Sequence, residues 1–300
     1  MCHTLHRMPT VRYDPAAVRP RRSVLFMPGS NTRALEKSRT LAADVLVLDL
    51  EDAVAPEMKL EARTQVAAAI RAGGYSHREI VVRVNALSTP WGRDDLAAAA
   101  AASADAVLLP KVESAETVSA SIEVLGSAPA VWCMLETPRG ILNAPSIAAA
   151  SPRVTALVMG TSDLTKDLHA RVTRERLPLL TSLQLCVLAA RSAGITALDG
   201  VHLDLDDDAG FAAACRQAAA FGFDGKTLIH PRQVDVANEV FAPAAGEVDW
   251  ARRVIAAHAD AHARGRGVAV LDGRLIENLH VADARRLLAL ADAIAERANF

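Results

Sequence analysis

Two acidic residues, Glu136 and Asp163, stand at or just beyond the ends of short apolar runs, Val131-Trp-Cys-Met-Leu-Glu136 and Ala156-Leu-Val-Met-Gly-Thr-Ser-Asp163. If those runs are neighbouring strands, about 4.8 Å apart, the two carboxylates converge on one spot. Two carboxylates completed by water and substrate oxygens suit Mg2+, which keeps several waters and is seldom caged by protein alone. Mn2+ takes the same hard donors. The four cysteines, Cys2, Cys133, Cys186 and Cys215, are scattered with no CxxC pair, so no thiolate set for a softer metal competes. The same two acids also fit plainer roles, Glu136 paired with Arg139 and Asp163 capping a helix.

A second acidic group, Asp49-Leu-Glu51-Asp52, ends another run, with residues 49 and 51 on one face and 52 at the exit. Three carboxylates so close repel one another unless a cation or an arginine compensates them. Glu51 and Asp52 are suited to hold waters around a neighbouring metal. Arg83 leaves a third run, followed by Asn85. Its guanidinium can stabilise an enolate or grip a carboxylate with two hydrogen bonds, or simply neutralise the Asp49–Asp52 group. Gly29-Ser30-Asn31 turns into a helix on which Arg33 and Lys37, four apart, share a face and can meet phosphates. Lys111 and Lys226, also at run ends, raise Schiff-base chemistry with a carbonyl substrate, although each follows Pro or Gly and nothing nearby in sequence depresses its pKa. Asp199 and His230 end two further runs and read as packing and hydrogen-bonding residues.

The elements that must position these groups are legible as eight apolar runs, each ending in polar residues. Besides the two already given, they are Ser23–Gly29, Val45–Asp52, Ile80–Asn85, Ala106–Lys111, Ile195–Asp199 and Gly225–His230. Short runs of β-formers with polar residues at their C-terminal ends are what a (β/α)8 TIM barrel requires, because its site lies at that face. Helical patterns fill the gaps at 56–72, 93–103, 114–125, 175–193 and 207–221. Most of these are followed by a glycine, as expected just past a helix C-terminus. Strict alternation of buried strand and helix predicts a parallel sheet covered on both faces, and eight strands favour closure over an open doubly wound sheet. Past Pro243 the rhythm changes: a charged helical segment over 246–264, Val268–Leu271, an Asp272-Gly273 turn, and a final helix over about 281–297. The expected organisation is a flexible basic arm over 1–22, a barrel over 23–243, and a helical lid or oligomer-contact extension over 244–300.

Three hundred residues accommodate one barrel of about 250 residues with a modest extension. A formal charge of −2 marks no surface for polyanions, so nucleic acid is not an expected partner. No apolar stretch reaches the roughly 18–20 residues of a membrane span, and Arg12, Arg19, Arg21 and Arg22 precede no apolar signal core. A cytoplasmic enzyme with free thiols is expected.

Seven motifs then occur in a recognisable order: Phe26-Met-Pro-Gly, Leu48-Asp-Leu-Glu-Asp-Ala-Val54, Arg83-Val-Asn, Leu109-Pro-Lys-Val-Glu113, Leu135-Glu-Thr-Pro-Arg-Gly140, Gly160-Thr-Ser-Asp-Leu164 and Gly222-Phe-Asp-Gly-Lys226. Together they resemble the HpcH/HpaI aldolase/citrate lyase family, in its citrate lyase β-subunit-like branch, over about residues 22–290. The resemblance implies a Mg2+-dependent carbon–carbon lyase acting on a malyl-CoA or citramalyl-CoA type of thioester. Its products would be a 2-oxo acid (glyoxylate or pyruvate) and acetyl-CoA or acyl-CoA, or the reaction would run as the reverse condensation. It implies Glu136 and Asp163 as metal ligands, Glu136 also lining the substrate, and Glu51 and Asp52 holding metal waters. Arg83 becomes the catalytic arginine, Arg33 and Lys37 the contacts to CoA phosphates, and the amides of Gly160, Thr161 and Ser162 the seat of the substrate carboxylate. It further implies a homo-oligomer, trimer or hexamer, in which a lid acid reaches a neighbouring subunit's site as the base. The family's lid resembles Asp-Gly-Lys-Met-Ile-Asp, whereas this chain has Asp272-Gly-Arg-Leu-Ile-Glu277, one methylene longer at the acid. A citrate lyase β subunit working in a multi-protein complex and a malyl-CoA thioesterase are the alternatives of the same family.

Overall fold

A computed structural model describes residues 18–126 and 129–297 of the chain. It forms two compact units, one over Pro20–Ala242 and one over Pro243–Glu296.

The first unit is a (β/α)8 TIM barrel. Strands β1 (Ser23–Pro28), β2 (Val45–Asp49), β3 (Glu79–Arg83), β4 (Ala106–Leu109), β5 (Ala130–Leu135), β6 (Val154–Met159), β7 (Thr196–Asp199) and β8 (Gly225–Leu228) pair in sequence order, and β8 returns to β1. Every pair is parallel. Each strand is buried on both faces, which is why its sequence reads as a nearly continuous apolar run. Val24, Val45, Val47, Val81, Leu108, Trp132, Met134, Val158 and Leu198 fill the inside of the barrel. Their alternates, such as Leu25, Leu46, Leu48 and Leu157, pack under the helices.

The helices of this unit are α1 (Thr32–Ser38), α2 (Lys59–Ala72), α3 (Gly92–Ala101), α4 (Ala115–Leu125), α5 (Pro138–Leu142), α6 (Ala144–Ala148), α7 (Thr161–Asp167), α8 (Leu180–Ala193), α9 (Asp208–Phe221) and α10 (Val234–Val240). Side chains of Asn31, Ser114, Thr137 and Asp207 cap the starts of α1, α4, α5 and α9. The glycine stops at 73, 126, 194 and 222 fall where the sequence placed them, all at positive φ. Helix α8 begins later than the expected residue 175, because Arg176 is left-handed (φ 55°) and Leu177–Leu179 forms a single tight turn. Helices of five to seven residues, α5, α6, α7 and α10, carry too few turns to show a period in sequence.

Of the flexible arm expected over 1–22, residues 1–17 lie outside the described residues. Arg21 and Arg22 differ from that expectation, being built into the base of the barrel. Arg21 donates to both oxygens of Glu79 (2.7 and 2.8 Å) and to Thr196 Oγ1 (2.7 Å), and stacks 4.9 Å from the Trp132 ring. Arg22 grips both oxygens of Asp44 at 2.8 and 2.9 Å. Buried carboxylates at the strand starts require these cations, and the requirement orders the chain there.

The second unit has α11 (Ala245–Ala263), an antiparallel ribbon of β9 (Ala269–Leu271) and β10 (Arg274–Ile276), and α12 (Asn278–Arg297). Asp272 (φ 48°) and Gly273 (φ 76°) make the ribbon turn, the left-handed pair that the Asp-Gly dipeptide predicts. Ala251, Val254, Ala269, Ile276 and Val281 form its small core. Among the described residues, no helix is long and apolar enough to cross a membrane.

Candidate active site

Glu136 follows β5 and is buried, with one oxygen, Oε1, accepting the Lys111 backbone N–H at 2.7 Å. Its side chain lies flat against Gly160, the residue after β6. A Cβ there would come within 2.3 Å of Glu136 Cβ and 2.6 Å of Oε2, so only glycine leaves room for the carboxylate. Asp163 sits in the first turn of α7, two residues after Thr161, with Gly160 rather than Asp163 at the cap. Lys111 joins the groups: its ammonium lies 3.3 Å from Asp163 Oδ2 and 3.5 Å from Glu51 Oε1 while its backbone holds Glu136. The strand ends of β2, β5 and β6 therefore bring Glu51, Glu136 and Asp163 together at Lys111.

The electrostatics follow from that crowding. Burial, and then the Glu51 charge, push the Glu136 carboxyl up to about 7, against the opposing pull of Lys111 and Arg83. Glu51 is also raised, by burial first and then by Asp52 and Asp49, with Arg83 and Lys111 opposing. Burial works against the Lys111 ammonium, but Glu51, Glu136 and Asp163 outweigh it and hold the lysine charged well above its ordinary range. An ammonium paired with two carboxylates is not poised to form an imine.

Arg83 leaves β3 and ties the second acidic group together. It donates to Asp49 from Nε (2.7 Å) and Nη2 (2.5 Å), while Nη1 lies 2.9 Å from Glu51 Oε2 and 3.3 Å from Asp52 Oδ2. The Phe26 ring stacks 4.8 Å from its guanidinium carbon. Both readings of Arg83 thus have a physical basis, since it neutralises the acidic cluster while its Nη1 edge stays beside Glu51 and exposed Asp52. Asp49 itself is consumed internally: its oxygens also accept the N–H groups of Glu51 (2.9 Å) and Ala53 (3.1 Å). Glu51 Oε2 is buried and meets Arg83 Nη1 as a close ion pair without hydrogen-bond geometry.

The remaining expected residues are placed as follows. Thr161 is buried and Ser162 exposed at the start of α7, and Thr161 packs on Gly200, where a Cβ would be 2.5 Å from its Oγ1. Arg33 and Lys37 are exposed on α1, which leaves the mouth end of β1. Glu277 belongs to the second unit, exposed just before α12, with its N–H donating to His280 Nδ1 at 3.0 Å. Lys226 does not face the barrel interior. It is fully buried on the helix side, 2.7 Å from Asp199, which also takes two hydrogen bonds from Arg176. That enclosure removes it from substrate chemistry. His230 caps the turn at Pro231–Gln233, accepting the Arg232 N–H at 3.2 Å.

The sequence did not point to Lys59, Asp95 or the load carried by Asn85. Asn85 Nδ2 donates to Leu50 O (2.9 Å) and Asp95 Oδ2 (2.6 Å), and Lys59 grips the same turn of backbone.

The donor set fits a hard divalent cation. Among the described residues, no three His, Cys, Asp or Glu side chains form a ready-made metal cage. Oxygen is the only donor type, burial leaves Glu136 short of positive charge, and a lysine already bridges two of the acids. Two carboxylates with remaining positions open to water and substrate match Mg2+.

Several known proteins are similar to this chain. A family model described as HpcH/HpaI aldolase/citrate lyase matches residues 22–231. The chain is 50% identical over 276 residues to a (3S)-malyl-CoA thioesterase of Cereibacter sphaeroides, covering 92% of this chain and 96% of that protein. It is 39% identical over 284 residues to the citrate lyase subunit beta of Escherichia coli, covering 91% and 94%. The crystal structure of the protein CitE of Mycobacterium tuberculosis, in complex with magnesium, acetoacetate and coenzyme A, matches with a TM-score of 0.75. That match has 33% sequence identity and covers 92% of this chain and 99% of that one.

Proposed function

The chain belongs to the HpcH/HpaI aldolase/citrate lyase family, and we propose that it is a Mg2+-dependent enzyme acting on the CoA thioester of a short hydroxy diacid of the malyl class. The observation that carries this reading is the meeting of Glu51, Glu136 and Asp163 at one residue of the barrel mouth, Lys111, whose ammonium pairs with Glu51 and Asp163 and whose backbone N–H holds Glu136. Glu136 and Asp163 would hold the metal, which when bound supplies a Lewis acid for the oxygens of the acid portion. Glu51 and Asp52 would orient water, and the amides of Gly160, Thr161 and Ser162 would receive the acid's carboxylate. Arg33 and Lys37 offer charge to the CoA phosphates.

Thioester hydrolysis is the first reading of the reaction, supported by the 50% identity to a malyl-CoA thioesterase over nearly the whole chain. In it, Glu51 or Asp52 takes a proton from the attacking water, and the Nη1 edge of Arg83 stabilises the oxyanion forming at the thioester carbonyl. The oxyanion's collapse breaks the C–S bond, CoA leaving as the thiol with that proton and the acid as malate. Carbon–carbon cleavage is the second reading, favoured by the likeness to citrate lyase subunit beta. There the Arg83 edge would stabilise the CoA enolate. Glu277 of an adjacent subunit would take the hydroxyl proton as glyoxylate or pyruvate leaves. Val270 and Leu275, cross-strand partners in the ribbon that precedes Glu277, are 70% and 53% exposed. An apolar face of that kind supports seating of the ribbon on a second copy in a trimer or hexamer.

Purified chain incubated with (3S)-malyl-CoA and Mg2+ tests both. Free thiol and malate without glyoxylate are expected. Glyoxylate and acetyl-CoA without thiol would turn the assignment to the lyase, and full turnover in EDTA would remove the metal from it. Inactivity on free CoA esters, restored only by partner proteins, would point to a citrate lyase β subunit.

A further inference from the structure

Lys59, the first residue of α2, is a buried lysine that no catalytic step uses. Its ammonium binds two main-chain carbonyls rather than a carboxylate: Leu50 O at 2.8 Å and Glu51 O at 2.7 Å. The Trp91 ring covers it, 5.5 Å from Nζ. The two carbonyls belong to the turn that carries Glu51 and Asp52 away from β2. Asn85 Nδ2 takes Leu50 O from another side at 2.9 Å. Asp95, held by Arg63 at 2.7 Å, fixes Asn85 through both its side chain and its N–H. The turn is thus pinned at consecutive carbonyls by groups from α2, the end of β3 and α3. A neutral side chain at 59 would take one of two donors from each carbonyl, leaving Leu50 O to Asn85 Nδ2 and Glu51 O to the Val54 N–H at 3.0 Å, so the turn loses its tie to α2. It would also remove one of the four cations, with Arg63, Arg83 and Lys111, that face Asp49, Glu51, Asp52 and Asp95.

We propose that Lys59 is the positioning residue that aims Glu51 and Asp52 at the mouth, by tying both carbonyls of their turn to the start of α2. The proposal rests on the reading of Glu51 and Asp52 as groups that serve the cation and its waters. A displacement of about 1 Å in such groups costs on the order of 100-fold in turnover, and loss of support around a metal weakens its binding about 10- to 100-fold.

The test is Lys59→Met, nearly isosteric and uncharged, followed by three measurements. These are steady-state thioester turnover, Mn2+ affinity by paramagnetic resonance, and amide hydrogen exchange of the metal-free protein. The expected result is a folded protein with kcat down about 100-fold, KM for the thioester changed by less than about threefold, and Mn2+ binding weakened about tenfold or more. Exchange should accelerate at residues 50–54 and stay unchanged in β4–β6. A folded variant with wild-type kcat, Mn2+ affinity and exchange overturns the proposal. If Lys59→Met does not fold, Lys59→Gln carries the same measurements, because its amide still reaches one carbonyl. Failure of both to fold would make Lys59 a residue of the fold and overturn the proposal equally. Absence of Mn2+ binding in the wild-type protein would instead sink the cation reading, and exchange at residues 50–54 would still judge Lys59.

Discussion

Glu136 sets the chemistry at the scale of a single residue. Its carboxyl is raised from an ordinary 4.5 to about 7 by burial and by Glu51, so near neutrality a proton and a cation compete for it. Cation affinity is therefore expected to fall about tenfold per pH unit below that value, measured by Mn2+ or Mg2+ titration. The sign for stability follows from the same shift. A raised carboxyl contributes stability that is present below its ordinary pKa and is lost as pH climbs to about 7, where the metal-free protein must bury the charge. Mg2+ should thus raise the melting temperature by more at about pH 8 than at about pH 6. Gly160→Ala is the sharpest single change: its methyl would meet Glu136 Cβ at 2.3 Å and push the carboxylate aside. Cation binding is expected to drop at least about tenfold with circular dichroism unchanged. Glu136, Asp163 and Arg83 were legible because strand ends in a barrel point to one place. Lys59 was not, because a side chain that binds main-chain carbonyls leaves no complementary residue in the sequence to find, and Asn85, noted beside Arg83, gave no sign of its partner Asp95.

The elements were legible where burial dictates them. Each of the eight apolar runs became a strand, in order and in register, because a barrel strand is enclosed on both faces and must be apolar along its length. The final helix starts at Asn278 rather than near 281, and of the short helices α1 was announced by Gly29-Ser30-Asn31 while α5, α6 and α10 went unseen. Their caps and closing turns are set by tertiary contacts instead of periodicity. Two lysines at strand ends, alike in sequence, separated completely in the structure: Lys111 faces the acids of the mouth and Lys226 the helix layer. There Asp199, kept ionised against burial by Lys226 and then Arg176, joins β7 and β8 to the segment that precedes α8. Replacing it by Asn leaves two buried cations without their anion. Asp199→Asn is expected to lower unfolding free energy by about 3–5 kcal/mol, read from urea denaturation. A loss below about 1 kcal/mol would show that the cluster is solvated.

For the whole molecule, the boundary near Pro243 was visible as a change from short apolar runs to charged helix, whereas Arg21 and Arg22 gave no sign of belonging to the barrel base. The second unit carries Glu277 beside an exposed apolar ribbon face. If that face seats on another subunit, Leu275→Asp should reduce the mass measured by light scattering to that of a monomer and abolish any carbon–carbon cleavage, with the barrel still folded. Wild-type mass and activity would sever the ribbon from the site. Everything in the functional account depends on Glu136 and Asp163 sharing one hard divalent cation. Anomalous diffraction from crystals grown with Mn2+ tests this most directly. A single strong peak within bonding distance of both carboxylates is predicted; Mn2+ bound elsewhere, or at neither acid in an enzyme that turns over, would contradict it.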